Sequence, residues 1–358
     1  MTTPRIEIDL EKIAHNAKKL KTLYGAKGIS VIGVTKVVCG EPEIANVLVE
    51  SGIGTLADSR IANITRMRKA GVQARFLLLR SPIPSQAESV VTYADMSLNT
   101  EVSVIKILSQ YAVKYHTTHK IILMVELGDL REGLMPSNLE NTVKEVVELK
   151  GIKLAGIGAN LACFGGIQPD KKNMEYLSSL ARGIEKKFGL ALEFVSGGNS
   201  ANYRWFTSTK DVGSVNNLRL GESIFLGRET LYREPIPGLF TDAFILVAEV
   251  IESQVKPSVP YGRVCQDAFG NIPTFQNRGR IRRAILGIGL QDVLVSGLTP
   301  EPEIDILGAS SDHLIIHAKQ RDLRAGDEVE FDLNYGALLS VMTSQYVMKT
   351  FVNGRCNA

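Results

Sequence analysis

The stretch Gly28-Ile-Ser-Val-Ile-Gly-Val-Thr-Lys36 decides how the rest of the sequence is interpreted. An apolar run rich in β-branched residues predicts a buried parallel strand, and a single lysine stands where this run ends. A lysine at a strand end most often reaches solvent. The other possibility is an amine held in an apolar mouth, where it attacks a carbonyl carbon and forms a Schiff base. The residues elsewhere in the chain have to decide between these two roles.

Strand-like and helix-like segments alternate along the chain after Lys36. About eight strand–helix units fall within roughly 200 residues, which is typical of a parallel (β/α)₈ TIM barrel, whereas a doubly wound sheet needs fewer strands. The alternation therefore predicts an α/β barrel over residues 10–232. Its further predicted strands are Thr55–Asp58, Arg75–Arg80, Asp95–Leu98, Ile121–Leu127, Leu154–Asn160, Phe194–Gly197 and Asn217–Gly221.

The alternation stops near Arg233. Short β-rich runs separated by Pro, Gly and Asp turns then predict a second, all-β domain over residues 233–358. Pro235-Ile-Pro-Gly238 is the predicted linker, and we expect the N-terminal strand in residues 1–9 to join the second domain. The runs lie at residues 243–252, 281–289, 303–307, 313–318, 328–333 and 340–347.

The composition indicates a protein that works on small molecules. The 358 residues include 41 Lys and Arg and 38 Asp and Glu. The resulting net charge of +3 is too small to indicate binding to nucleic acid or to an anionic membrane. The four cysteines, Cys39, Cys163, Cys265 and Cys356, form no CxxC pair, so neither a zinc site nor a disulfide framework is indicated. Without an apolar signal region or a run of about 20 apolar residues, we expect a cytoplasmic protein.

Several polar residues stand at the C-terminal ends of predicted barrel strands, and these ends converge on one mouth in a barrel. Backbone N–H groups and the hydroxyl of Ser200 suit a phosphate there, although an ordinary turn with a serine cap gives the same pattern. Arg131 could orient a substrate or cofactor oxygen, or it could be a solvated loop residue. Tyr335, in the second domain, could donate its hydroxyl to a phosphate, or it could be a packed aromatic. The strand-end residues are Lys36, Arg131, Asn160, the segment Ser196-Gly-Gly-Asn-Ser200 and Arg219-Leu-Gly221.

Four sequence features, in this order, resemble the fold type III pyridoxal-phosphate (PLP) enzymes of the alanine racemase family: Thr35-Lys36, Asn199-Ser200, Arg219-x-Gly221 and Tyr335. The resemblance covers nearly the whole chain. Val34-Thr-Lys-Val37 and Leu218-Arg-Leu-Gly-Glu-Ser-Ile-Phe-Leu-Gly227 are most similar to the ornithine racemase branch. The resemblance favours the reactive role for Lys36 over the solvated one.

The resemblance also implies a role for each site residue. Lys36 would form the internal aldimine with PLP and, once released, act as general base on one face of Cα. Arg219 would face the pyridine nitrogen and keep it unprotonated, which favours reversible proton exchange over decarboxylation or elimination. Arg131 would orient a substrate or cofactor oxygen. The remaining cofactor-binding residues would be Asn160, Asn199, Ser200, Gly221, Glu222 and Tyr335, of which Ser200, the amides of Gly221 and Glu222, and Tyr335 would hold the phosphate.

The base on the opposite face of Cα is where the sequence departs from the alanine racemases. Those enzymes use a tyrosine from the partner subunit in a Gly-Tyr-Ala-Asp motif, but this chain reads Gly289-Leu290-Gln291-Asp292. His313, which falls where the family has a loop reaching the partner's site, is the catalytic candidate here. Gly40 and Asn160 stand where alanine racemases have a tyrosine and a histidine.

These observations predict a racemase that interconverts L- and D-ornithine, or another cationic amino acid, as a head-to-tail homodimer with shared active sites and no metal. A racemase of a neutral amino acid, a PLP lyase of the aldolase type and a non-catalytic PLP carrier are the alternatives. We also expect Asp267, Gln291 and Asp292 to recognise the cationic side chain. Replacing Asp292 would then raise KM for ornithine more than for neutral amino acids.

Overall fold

The computed structural model describes residues 2–352 and Gly354, and the chain divides into two compact units. The first unit comprises Glu11–Thr241, and the second combines Met1–Leu10 with Asp242–Ala358. The chain begins with strand β1 (Arg5–Asp9), followed by helix α1 (Leu10–Gly25). None of the described helices is long and apolar enough to cross a bilayer.

The first unit is a closed parallel barrel of eight strands, β2 to β9, with a helix after each strand. This confirms the predicted (β/α)₈ TIM barrel. The strands are β2 (Ser30–Val34), β3 (Thr55–Asp58), β4 (Arg75–Leu78), β5 (Met96–Asn99), β6 (His119–Met124), β7 (Ile152–Gly158), β8 (Phe194–Ser196) and β9 (Asn217–Leu220). The helices are α2 (Pro42–Glu50), α3 (Ile61–Lys69), α4 (Ala87–Tyr93), α5 (Val102–Lys114), α6 (Pro136–Val147), α7 (Lys171–Phe188), α8 (Tyr203–Ser208) and α9 (Glu222–Leu226).

Apolar side chains from the strands fill the barrel, which makes it a packed core and not a pore. Where β7 and β8 lie side by side, only glycine fits: a Cβ on Gly156 of β7 would lie 2.1 Å from the carbonyl oxygen of Phe194 in β8. The buried cluster consists of Ile32, Val34, Ala57, Leu77, Met96, Leu98, Ile122, Met124, Ala155 and Phe194.

The segment between the barrel and the second unit belongs to the barrel as far as Thr241. Asn16 of α1, which is fully buried, fastens this segment: its side-chain amide donates to the carbonyl of Phe240 at 2.8 Å and its oxygen accepts from the Phe240 N–H at 2.8 Å. The predicted linker Pro235–Gly238 therefore lies within the barrel unit, and the division between the units falls at Asp242.

The second unit is built on an eight-stranded sheet. Six strands follow the order β12-β15-β10-β11-β14-β13, and β1 pairs antiparallel with β10 and parallel with β16. The N-terminal strand is thus part of the second unit. The strands are β10 (Phe244–Pro257), β11 (Arg280–Leu286), β12 (Leu298–Pro300), β13 (Ile304–Ala309), β14 (Leu314–Ala318), β15 (Glu328–Leu333) and β16 (Met348–Val352).

The predicted β run at residues 340–347 is wrong. The chain instead forms helix α10 (Tyr335–Thr343) there, and strand β16 begins only at Met348. Asn334 caps this helix, because its side-chain oxygen accepts from the N–H of Ala337 at 3.0 Å. Ser340 lies inside the helix and bonds back to the carbonyl of Ala337 at 2.9 Å. The capped helix therefore forms although the apolar sequence after the cap predicted a strand.

Gly156→Ala should lower the free energy of unfolding by about 1–3 kcal/mol, because the new methyl group overlaps the Phe194 backbone and the strands must separate. Gly183→Ala is the matched control. Gly183 is exposed in α7 and a Cβ there meets nothing within 4 Å, so alanine should stabilise the helix by about 0.5–1 kcal/mol. Urea unfolding of both variants measures the difference; equal shifts would contradict the close approach of β7 and β8.

Candidate active site

Lys36 begins a single 3₁₀ turn, Lys36–Val38, directly after the buried end of β2. Two left-handed residues close this turn, Cys39 at φ 54° and Gly40 at φ 59°. A Cβ on Gly40 would lie 2.9 Å from the Cβ of Asn63, so the turn packs closely against α3. Lys36, itself partly exposed, thus lies at the carboxyl edge of the barrel, where the active sites of TIM barrels are found.

A buried carboxylate that the sequence analysis did not single out supports the start of this turn. Asp58, at the end of β3, accepts hydrogen bonds from the Thr35 hydroxyl, the Arg60 N–H and the Asn63 amide, each at 2.9 Å. Asp58 is fully buried, and burial raises the pKa of its carboxyl group. The sequence feature that could have identified Asp58 is its position as the last residue of the predicted strand next to the Lys36 strand.

Arg219 of β9 joins the ends of two neighbouring strands. Its guanidinium donates to the Ser196 hydroxyl at the end of β8, and to the Ala159 carbonyl at 2.8 Å and the Asn160 side-chain oxygen at 3.4 Å just beyond β7. Asn199 donates to the same Asn160 oxygen at 3.0 Å. The structure therefore brings together three of the predicted site residues in one hydrogen-bonded cluster.

The guanidinium of Arg219 is a buried cation: 4% of the residue is exposed. Burial lowers the pKa of Arg219 to about 10, which leaves it charged at neutral pH. Arg131 and Glu132 also act on this charge, which places the loop after β6 within electrostatic range of it. Arg131 itself forms an ion pair with Glu132, and 39% of its side chain is exposed.

Ser200 is buried and hydrogen-bonded across two neighbouring turns of the barrel. Its hydroxyl lies 3.0 Å from the hydroxyl of Ser223 and accepts from the Ser223 N–H at 3.2 Å. Ser223 follows Gly221 and Glu222, so the turns after β8 and β9 meet at this serine pair. The sequence analysis missed Ser223, although it lies within the quoted motif Leu218–Gly227.

The two remaining predicted residues, Tyr335 and His313, belong to the second unit. Tyr335 is half-buried as the first residue of α10, and the Nδ1 of His313 lies 2.8 Å from Asp312. The loop that contains His313 packs on the turn that contains Leu290, because the Leu290 N–H donates to the Ser310 carbonyl at 3.0 Å. The two segments expected to reach a partner's site are therefore neighbours.

The acidic residues expected to recognise a cationic substrate have local partners in the second unit. Asp292 is buried, and its carboxylate accepts from the Ser344 hydroxyl at 3.0 Å and the Gly289 N–H at 3.4 Å. Asp267 accepts from the N–H groups of Phe269 and Asn271 within its own turn, both at 2.9 Å. These contacts give Asp292 and Asp267 structural roles. Among the residues that the structure describes, no group of three His, Cys, Asp or Glu side chains is arranged for a metal ion.

The fold and the strand-end cluster define a TIM-barrel protein with an amine at the barrel mouth. Its sequence matches the family "Alanine racemase, N-terminal domain" over residues 8–229. An ornithine racemase from Acetoanaerobium sticklandii is 39% identical over 350 residues, covering 97% of this chain and 99% of the relative. A lysine racemase from Thermotoga maritima is 38% identical over 353 residues, covering 98% and 99%.

Solved structures agree with the sequence relatives on the fold. An alanine racemase from Bacillus anthracis superposes with a TM-score of 0.76 at 16% identity, covering 98% of this chain and 95% of that structure. The chain therefore belongs to the alanine racemase family, whose members are PLP-dependent isomerases of amino acids. The resemblance inferred from the sequence is confirmed.

Asp58→Ala should destabilise the protein by about 1–3 kcal/mol, because the Arg60 N–H loses its acceptor and the buried Thr35 hydroxyl keeps only the Ala57 carbonyl, at 3.3 Å. Asp58→Asn keeps an acceptor and removes the buried charge, so its stability at pH 7 should stay within about 1 kcal/mol of wild type. Urea unfolding measures both.

The pH dependence of the free energy of unfolding provides a second test with Asp58→Asn. Because the folded pKa of Asp58 is raised, the wild type loses stability as the pH rises through that value, and Asp58→Asn has no such loss. The stability of Asp58→Asn relative to wild type should therefore increase between about pH 4 and pH 8. Asp211→Asn, at an exposed turn, is the control; a constant difference for Asp58→Asn would contradict the raised pKa.

Proposed function

We propose that this protein interconverts the enantiomers of ornithine or lysine, with PLP attached to Lys36. The observation that supports this substrate class is the full-length similarity to two racemases named for cationic amino acids, at 39% and 38% identity. The similarity extends over both units of the chain, so it includes the second unit as well as the barrel. In this proposal the barrel binds the cofactor.

The residues at the barrel mouth fit PLP by their chemistry. An amine, a buried guanidinium and a buried hydroxyl pair stand at the ends of the adjacent strands β2, β9 and β8. A Cβ on Gly221 would lie 3.1 Å from the Val34 carbonyl oxygen, so the glycine lets the backbone after β9 lie directly against β2. Lys36 would hold the carbonyl of PLP, and Arg219 its ring nitrogen. The phosphate would be held by Ser200 and the amides of Gly221 and Glu222, and phosphate binding by Tyr335 stays a prediction from the sequence.

Arg219 would determine which reaction is favoured. PLP, when bound, would supply an electron sink for Cα. Because the Arg219 guanidinium is charged at neutral pH and has only donors, it would leave the ring nitrogen unprotonated and limit that withdrawal. Asn160 and Asn199 would line the side of the pocket that contains the guanidinium. The limited withdrawal of electrons favours reversible exchange of the Cα proton.

The two faces of Cα need two bases. Lys36, once released, takes or delivers the proton on one face. His313 is our candidate on the other face, supplied by the partner subunit of a head-to-tail homodimer. The short contact between His313 and Asp312 supports an imidazole of fixed orientation. Arg131 would orient a substrate or cofactor oxygen. We also propose a cytoplasmic location, as expected from the sequence.

The test is to incubate the PLP-loaded protein in heavy water with single enantiomers of ornithine, lysine, alanine and serine. We expect loss of optical rotation with deuterium at Cα, and kcat/KM for ornithine or lysine at least about tenfold above that for alanine. Faster turnover of alanine or serine would favour a neutral-amino-acid racemase. Release of an aldehyde would identify a lyase. Binding of PLP without exchange of the Cα proton would identify a carrier.

Lys36→Ala should remove the visible absorbance of the protein-linked cofactor and lower racemisation by at least about 10³-fold. Lys153→Ala is the control, because Lys153 is an exposed lysine near the amino end of β7 and should keep both signals. An unchanged visible band in Lys36→Ala would overturn the assignment of Lys36.

A further inference from the structure

Glu126, two residues after β6, contributes a buried carboxylate to the carboxyl edge of the barrel. Only 9% of the residue is exposed, and its Oε1 accepts from the N–H of Gly128 at 2.5 Å. Among the residues that the structure describes, no cation pairs with this carboxylate. Burying a carboxylate without a cation is unfavourable, because one N–H group replaces only part of its hydration. Glu126 is therefore suited to a ligand that carries a positive charge.

The second oxygen of this carboxylate, Oε2, is open to solvent. Four polar side-chain atoms of the described residues are enclosed without a hydrogen-bond partner: Oη of Tyr24, Oδ1 of Asn99, Nε of Arg283 and Nδ1 of His317. The Oε2 of Glu126 also has no partner among the described residues, but it is not one of these enclosed atoms. A ligand can therefore reach Oε2, although most of the side chain is buried.

The extended backbone after β6 directs the Glu126 side chain into the barrel mouth. The Val125 N–H donates to the Gly158 carbonyl of β7 at 2.7 Å, and the Glu126 N–H donates to the Leu134 carbonyl at 2.9 Å. Neighbouring chains thus hold this segment extended on both sides. Successive side chains of an extended segment point to opposite faces. Since Met124 belongs to the cluster inside the barrel, Glu126 points to the same side, closer to the mouth.

The order of the strands places Glu126 across the mouth from Lys36. In the closed barrel β6 stands four places from β2 in either direction. In the pairing of β6 with β7, Met124 stands opposite Gly158, so the same register two residues later brings Glu126 beside Asn160. Asn160 belongs to the Arg219 cluster. A substrate with its amino group at Lys36 therefore needs an extended side chain to reach Glu126, as ornithine and lysine have.

Other buried carboxylates at this edge of the barrel already have partners for their charge. Asp58 accepts from three donors, which use both of its oxygens. Asp129 accepts from two backbone N–H groups, again with both oxygens. Glu222 is paired with the guanidinium of Arg233. Glu126 differs from these three because it has an open oxygen and no cationic partner.

We infer that Glu126 determines specificity for a cationic substrate: its Oε2 accepts a hydrogen bond from the ammonium group at the end of the substrate side chain. This inference rests on the proposed function and names the residue that would recognise the proposed substrate class. A bound ammonium group gives the buried carboxylate its counter-charge. A neutral side chain leaves the carboxylate uncompensated, so it binds less favourably.

The experiment compares lysine with norleucine, which lacks only the ε-ammonium group. Dissociation constants are measured from the change in visible absorbance when each amino acid is added to the PLP-loaded protein. Wild type should bind lysine at least about tenfold more tightly than norleucine. Glu126→Gln keeps an acceptor for the Gly128 N–H but removes the charge. It should weaken lysine binding by about 10- to 100-fold and change norleucine binding by less than about twofold.

Glu140→Gln is the matched control. Glu140 lies in α6, its side chain is 57% exposed and it pairs with Lys187, so this variant makes the same change in net charge away from the mouth. Both dissociation constants should equal those of wild type. An unchanged preference for lysine in Glu126→Gln would overturn the inference. Equal losses of lysine and norleucine binding would indicate a purely structural role for Glu126 and would overturn it as well.

Two further measurements apply where Glu126→Gln fails to fold. Equal affinities of wild type for lysine and norleucine would overturn the inference without any variant. Glu126→Asp keeps the charge but withdraws it by one methylene group, so its preference for lysine over norleucine should fall by at least about threefold. A preference in Glu126→Asp that equals that of wild type would contradict direct contact with the ammonium group.

The same series distinguishes this inference from the proposed function. If wild type racemises ornithine or lysine and Glu126→Gln keeps the full preference for lysine, the proposed function stands and only the role of Glu126 fails. If wild type racemises only alanine or serine, the proposed substrate class fails together with the inference.

Discussion

The guanidinium of Arg219 is the contact on which the barrel mouth depends. It extends from β9 to the ends of β8 and β7 and bonds to Ser196, Ala159 and Asn160. One side chain thereby fixes three consecutive strand ends relative to each other. The arrangement buries a cation, which is unfavourable for folding, and such costs are usually found where a site needs a preorganised charge. The Asn160 side-chain oxygen accepts from both Arg219 and Asn199, so it links this contact to the turn after β8.

Elsewhere at the mouth, two buried carboxyl groups have different kinds of partner. Asp58 has three hydrogen-bond donors and fixes the backbone through Thr35, so it acts through geometry. Glu222 has a cationic partner, the mostly exposed Arg233. The buried guanidinium of Arg219 and the hydroxyls of Ser200 and Ser223 are further buried polar groups at this mouth.

Much of the fold could be predicted because the barrel repeats a simple pattern. The apolar strands and amphipathic helices indicate their own type, and strand ends identify Lys36, Asn160 and Arg219 without any tertiary information. The sequence could not reveal contacts made across the barrel. Asp58 and Ser223 become significant only when neighbouring turns meet, and residues 335–343 form a helix because Asn334 caps it. Similarly, the sequence could not reveal that the Asp292 carboxylate accepts from the hydroxyl of Ser344, 52 residues later in the chain.

The pairing of β1 has a consequence for biosynthesis. This strand precedes the whole barrel in the chain, yet both of its partners, β10 and β16, follow the barrel, and β10 begins more than 230 residues later. The whole barrel can form while β1 waits unpaired, since domains generally fold as units during synthesis. The second unit can close only after β16 has been synthesised, when β1 and β16 come together as parallel neighbours. Any factor that occupies β1 would delay that last step and leave the barrel intact.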